Sequence, residues 1–166
     1  MNTVSLTLDE INNLAKKTLL ANGCDDDTAS ILSELITNAE RDGSLSHGLF
    51  RLPAYVSGLK SGKINGKGKP EIKKISASVI KVNGNNSLAP VVLSKGLPEL
   101  SKAAKENGVA VLAINNSHHM AAMWPETEKL AEEGLVAFAC TSYKPAVAPA
   151  GAVSYTHLTL PTKRIV

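Results

Sequence analysis

Three short stretches of this 166-residue chain carry residue types suited to chemistry. Ser46-His47-Gly48, followed by Arg51, places a hydroxyl, an imidazole and a guanidinium within about one and a half helical turns. If they face one cavity, His47 would move a proton and Arg51 would hold a carboxylate in its two-pronged fork. The same spacing fits a plainer arrangement, with Ser46 capping a helix and His47 exposed in its first turn. The second stretch, Asn115-Asn116-Ser117-His118-His119, follows an apolar run, and ligands in open α/β sheets sit at the carboxyl ends of strands. Adjacent histidines in an extended segment point to opposite sides, so no shared metal is expected; a satisfied structural pair is the alternative. The third is Thr141-Ser142-Tyr143-Lys144-Pro145, whose hydroxyls and ammonium could meet phosphate or ribose, or could simply solvate a loop.

The elements that must position these residues are readable from period and punctuation. Thr7 and Glu10 form a capping box. Ile11, Leu14, Ala15 and Leu19 then recur at helical spacing, and Gly23 suits the left-handed stop. Asp25-Asp26-Asp27 puts carboxylates at the next helix start, a solvated cap and not a metal site. Leu32, Leu35, Ile36 and Ala39 form that helix's apolar face. A third helix carries Leu52, Tyr55, Val56 and Leu59, with Pro53 in its first turn. After the Gly/Lys-rich stretch from Ile64 to Pro70 the period becomes two. Ile75, Ala77, Val79 and Val82 read as a strand that ends in an Asn83-Gly84 turn. A helix over 88–107 follows, then a buried-type strand from Val109 to Ile114, a helix from Pro125 to Glu133, and a second buried strand from Leu135 to Cys140. Two apolar strands joined by a helix suggest a parallel crossover.

The fold class is therefore α/β: a helical N-terminal part, residues 1–63, followed by an incomplete mixed sheet with helices, residues 64–152. At 43% hydrophobic and 20% charged residues, the composition is that of one soluble domain. The net charge of +3 is too small and too evenly spread to call for nucleic acid. No apolar run approaches the roughly 20 residues that cross a bilayer, and the N-terminus has no secretory pattern. Cys24 and Cys140 lie far apart in apolar surroundings, as reduced thiols of a cytoplasmic protein do.

From Val153 onward the helix and strand periods vanish. Val153 to Thr162 resembles the translation of a transposon-end adapter used to prepare DNA sequencing libraries; a C-terminal strand is the alternative. Residues 153–166 are thus expected to be an adapter-derived tail on a natural chain cut near Gly151.

No strand is followed by the GxGxxG of classical dinucleotide folds, and Gly66-Lys67-Gly68 precedes a strand instead of linking one to a helix. Another pattern is present. Glu40-Arg-Asp-Gly-Ser-Leu-Ser-His-Gly48 with Arg51, Tyr55 and Gly62 resembles the N-terminal signature of the malate/L-lactate dehydrogenase-like oxidoreductases, which are not Rossmann enzymes. Two further blocks match in order: Gly108 to Ile114 running into His118-His119, and Gly134-Leu135 through Val147 to Gly151. Ala121-Ala-Met-Trp-Pro-Glu126 is similar to the branch that reduces the cyclic imino acids Δ1-piperideine-2-carboxylate and Δ1-pyrroline-2-carboxylate. Met120 and Tyr143 depart from that branch's usual residues.

The resemblance implies an NAD- or NADP-dependent oxidoreductase acting on a small 2-keto acid, 2-hydroxy acid or cyclic imino acid, and a homodimeric parent. Ser46 and His47 match the family's active-site pair, and Arg51 a cation on the substrate side. His119 matches a histidine that acts as proton donor or acceptor beside the nicotinamide in some members, so the resemblance makes either His47 or His119 the catalytic proton carrier. Ser142 and Tyr143 align with a loop that contacts the dinucleotide. The family's later cofactor loops and a catalytic aspartate would lie beyond Gly151. The alternative is a non-catalytic binding or interaction domain on the same scaffold, since a fold does not by itself confer a function.

Overall fold

The computed structural model describes residues 4–118 and 122–141. Three helices come first: α1 Leu8–Ala21, α2 Asp26–Arg41 and α3 Leu52–Lys60. Thr7 and Glu10 close the capping box at α1 as expected. Asp25 caps α2 by accepting the Thr28 amide at 2.9 Å. Burial raises the Asp25 carboxyl's pKa, but the Thr28 hydrogen bonds and the charges of Lys69 and Lys67 outweigh it and leave the net value lowered. Ile11, Ala15 and Leu19 recur every four residues and so share one stripe of α1. That stripe packs on Ala29, Leu32 and Ile36 of α2 and on Leu52 and Tyr55 of α3. Leu14 falls off it and is exposed.

Among the described residues the sheet has three strands in the order β1-β2-β3: β1 Glu71–Lys74, β2 Val79–Leu88 and β3 Val111–His118. β1 pairs antiparallel with β2, and β2 pairs parallel with β3. The crossover between the parallel strands is α4 Ala89–Asn107, and α5 Trp124–Glu132 follows β3. Ile80 and Val82 of β2 pack on Val92 and Ala103 of α4. Ala89, Leu93 and Leu97 on another side of α4 meet Leu130 of α5. Leu88, the last residue of β2, instead joins the core of the N-terminal helices.

Three strand expectations need correction. Ile75 to Ser78 do not continue a strand but reverse the chain, with the Ile75 amide bonded to the Val79 carbonyl at 2.8 Å. The Asn83-Gly84 pair is not a turn and lies inside β2. The left-handed backbone that Asn-Gly announces does occur close by, at Asn85, Asn86 and Asn116. There it makes a bulge, and asparagine amides hold it: Asn83 Oδ1 accepts from Asn116 Nδ2 at 3.1 Å and from the Asn85 amide at 3.3 Å. Gly84 is required beneath it, because a Cβ would stand 2.7 Å from the Asn116 carbonyl oxygen. Finally, Leu135 to Cys140 is neither a strand nor buried. It is extended, with Leu135 and Ala137 against the α4–α5 core while Val136 and Phe138 face solvent. A strand needs a hydrogen-bonding neighbour, and this segment has none among the described residues. The parallel crossover accordingly joins β2 to β3, and β3 is half-exposed.

Candidate active site

The Ser46–Arg51 segment folds as two successive 3-10 turns, Leu45–His47 and Leu49–Arg51, that lead into α3. Ser46 caps no helix. Its hydroxyl lies 3.0 Å from His47 Nδ1, and the Ser44 hydroxyl lies 3.2 Å from the same atom. A hydroxyl can donate to a bare Nδ1 or accept from a protonated one, so either neutral tautomer is supported. Engaging Nδ1 in this way leaves Nε2 as the ring nitrogen suited to exchanging a proton with a ligand.

Gly48 joins the two turns, and the end of α2 anchors it. The Leu49 amide donates to Glu40 Oε1 at 2.7 Å. The carboxylate occupies the space a side chain at residue 48 would need: a Cβ there would stand 2.1 Å from Glu40 Oε1. Arg51 is half-buried, and its Nε is fully shielded from solvent with no hydrogen-bond partner among the described residues. Leaving a guanidinium N–H without a partner is costly, so an anionic acceptor is the group this position suits. Tyr55 is buried one turn on; burial pushes its hydroxyl up to about 12, against the opposing pull of the Arg51 charge.

An aromatic contact joins this segment to α5 in the second half of the chain. The His47 and Trp124 rings have centroids 6.1 Å apart and planes at 75°, an edge-to-face contact. Trp124 opens α5, with Pro125 behind it in the first turn. Two residues on, Glu126 is 8% exposed, and its Oε2 has no partner among the described residues. Burial raises this carboxyl's pKa, against opposing pulls from its own backbone amide and from Lys129. It lines both a small cavity of about 100 Å³ against α2 and α4 and a larger apolar one of about 570 Å³ between α4, β3 and the 136–141 segment.

Of the residues singled out in the sequence, Ser46, His47 and Arg51 are thus brought onto one short segment. His119, Ser142 and Tyr143 lie outside the described residues, as does the tail from Val153. His118 is the last residue of β3, opposite Leu88. Three residues earlier on the same strand, opposite Asn83, Asn115 has a shielded Oδ1 without a partner among the described residues. The spacing pointed to neither Glu40 nor Trp124 as a site residue. The available signals were an acidic residue opening the Glu40–Gly48 block and a rare indole directly before a proline.

The Malate/L-lactate dehydrogenase family profile matches residues 6–161. The chain belongs to this family. The match runs past Ala152 into the stretch that resembles adapter text. Over 149 residues the chain is 38% identical to a family relative, the Delta(1)-pyrroline-2-carboxylate/Delta(1)-piperideine-2-carboxylate reductase of Pseudomonas putida; these residues are 90% of this chain and 44% of that protein. It is 35% identical over 143 residues to the malate/(S)-sulfolactate dehydrogenase of Methanothermus fervidus, 86% of this chain and 42% of the other. The crystal structure of delta1-piperideine-2-carboxylate reductase from Pseudomonas syringae pvar. tomato superposes with a TM-score of 0.76 at 37% identity, over 80% of this chain and 40% of that one. The chain therefore spans less than half the length of these relatives.

Proposed function

We propose that the chain supplies the substrate side of an NAD- or NADP-dependent oxidoreductase site acting on a small 2-keto acid, 2-hydroxy acid or cyclic imino acid. The observation that carries this reading is His47, held at Nδ1 by two hydroxyls, four residues before a guanidinium whose Nε is buried and unpartnered. Arg51 receives the substrate carboxylate and fixes its orientation. His47 supplies the proton that goes to the nitrogen or oxygen at C2 in reduction and takes it back in oxidation. Ser46 and Ser44 steady the ring through the change of protonation state.

The nicotinamide, when bound, supplies or accepts the hydride. Among the described residues, Asn115 suits its carboxamide or ribose, because a shielded amide oxygen without a partner calls for an N–H or O–H donor. His119 is assigned to the nicotinamide side, and Ser142 and Tyr143 to the dinucleotide, on the family resemblance. The same resemblance supports a homodimer, and the reading of Cys24 and Cys140 as reduced thiols supports a cytoplasmic location. The Gly/Lys-rich connection from Ile64 to Pro70 supports a division into a helical part over 1–63 and a cofactor and substrate part over 64–152. Among the described residues no helix is long and apolar enough to cross a membrane.

The test is reduction of Δ1-piperideine-2-carboxylate, Δ1-pyrroline-2-carboxylate and pyruvate with NADH and NADPH, using a protein that continues this chain to the length of its relatives. His47→Ala is expected to lower kcat/KM by at least about 100-fold while nicotinamide affinity stays near wild type. Full turnover by both His47→Ala and His119→Ala proteins would refute the proton-transfer assignment.

A further inference from the structure

We propose that Trp124 is a specificity-determining residue, its indole forming a flat wall beside His47 that favours a ring-shaped carboxylate over an open-chain one of equal charge. The inference rests on the substrate-side reading of Ser46, His47 and Arg51 given above. An edge-to-face pair with planes at 75° is a corner: imidazole and indole stand nearly upright to one another. A planar or puckered ring lying along the indole would bring one edge atom to the imidazole, where the proton is exchanged. A short open chain would cover little of that wall and leave part of it in water.

Three observations make the wall a built one. Trp124 is 37% exposed although α5 buries Leu130 and Glu126, so the indole is withheld from the core that its own helix joins. Pro125 fixes the backbone directly behind it, and Leu130 anchors the far end of the helix in the α4 core. The partner ring is the imidazole of the proposed proton carrier and not an arbitrary surface group. Burying about two additional methylene groups against the indole corresponds to roughly tenfold in affinity or more.

Trp124 is the single tryptophan of the chain, so its emission reports on this corner alone. The experiment titrates the chain with L-proline and L-pipecolate, and with L-alanine and L-lactate, following indole emission and binding heat. Trp124→Leu, Trp124→Phe and Arg51→Ala variants are measured by heat alone, with circular dichroism and the thermal midpoint establishing that each is folded. The wild type is expected to shift its emission and to bind the ring acids about tenfold more tightly than L-alanine. Trp124→Phe should keep most of that preference. Trp124→Leu should bring the ratio near unity while L-alanine and L-lactate bind as before. Arg51→Ala should weaken all four acids. If Trp124→Leu weakens both classes equally, or if the wild type does not discriminate, the specificity role is overturned and the acid site stands. If Arg51→Ala leaves all four acids unaffected, or if the wild type binds none of them, the substrate-side reading is overturned, and this inference with it.

Discussion

Glu40 Oε1 accepts the Leu49 amide at 2.7 Å from nine residues upstream, and so ties the last turn of α2 to the two short turns that carry Ser46, His47 and Arg51. Gly48 leaves room for that carboxylate, so Gly48→Ala must push Glu40 aside and break the bond. A hydrogen bond to a charged group is worth about 1.5–3 kcal/mol, and a loss of that order is expected in urea unfolding. Glu40→Gln keeps an acceptor oxygen and should cost less than half as much. An unchanged urea midpoint for Gly48→Ala would show that the carboxylate relocates without loss.

Glu126 gives the fold a pH dependence of predictable sign. Burial raises its pKa in the folded chain, whereas the unfolded value is near 4.3. Its contribution is therefore fully present below about pH 4.3 and is lost as pH rises through the raised folded value. Glu126→Gln removes the ionisable group. It should raise the urea midpoint at pH 7, and that gain should disappear by pH 4. A variant no more stable than wild type at pH 7 would contradict this.

Val136 is fully exposed and Phe138 is 91% exposed, on an extended segment without a strand partner among the described residues. Extended apolar segments of this kind template association between chains. The double substitution Val136→Lys, Phe138→Ser removes no core contact, so the thermal midpoint should hold within about 1–2 °C of wild type, a surface-sized effect. Light scattering at matched concentration should fall. Scattering equal to wild type would point to another surface.

The isolated 166-residue chain is expected to show no steady oxidoreductase turnover. It spans 44% of its Pseudomonas putida relative, and a dinucleotide cleft built from one side forfeits about tenfold in affinity for each 1.4 kcal/mol of missing contact. Calorimetric titration with NADH and NADPH, followed by an assay with pyruvate and a cyclic imino acid, checks this. Micromolar binding or sustained turnover would place a complete site within these residues.

The sequence expressed the helices well, because their signals are local. A capping box at Thr7, a four-residue apolar repeat in α1 and Pro53 in the first turn of α3 each act within a turn or two of themselves. Strands were harder to read, because a strand is defined by its neighbour. Leu135 to Cys140 has strand composition and no partner among the described residues. Asn83-Gly84 has turn composition, yet β3 supplies Asn116 to close a bulge around it instead. The site divides in the same way. Ser46, His47 and Arg51 sit together on six consecutive residues and were visible, whereas Glu40 and Trp124 reach them only through the fold.

β2 has a further consequence, for how the molecule opens. Ile80 and Val82 sit in the core beneath α4, while Leu88 at the end of the same strand is locked among α1, α2 and α3. One strand, bulged at Asn85 and Asn86, thus contributes to both cores, and loosening one pulls on the other. The amides of Ile80, Val82 and Leu32 should then exchange with deuterium only through one shared opening, with a common free energy as urea is raised, while Glu71 to Lys74 on the exposed edge exchange early. The helices and the sheet would behave as a single cooperative unit, with β2 as the strand that couples them.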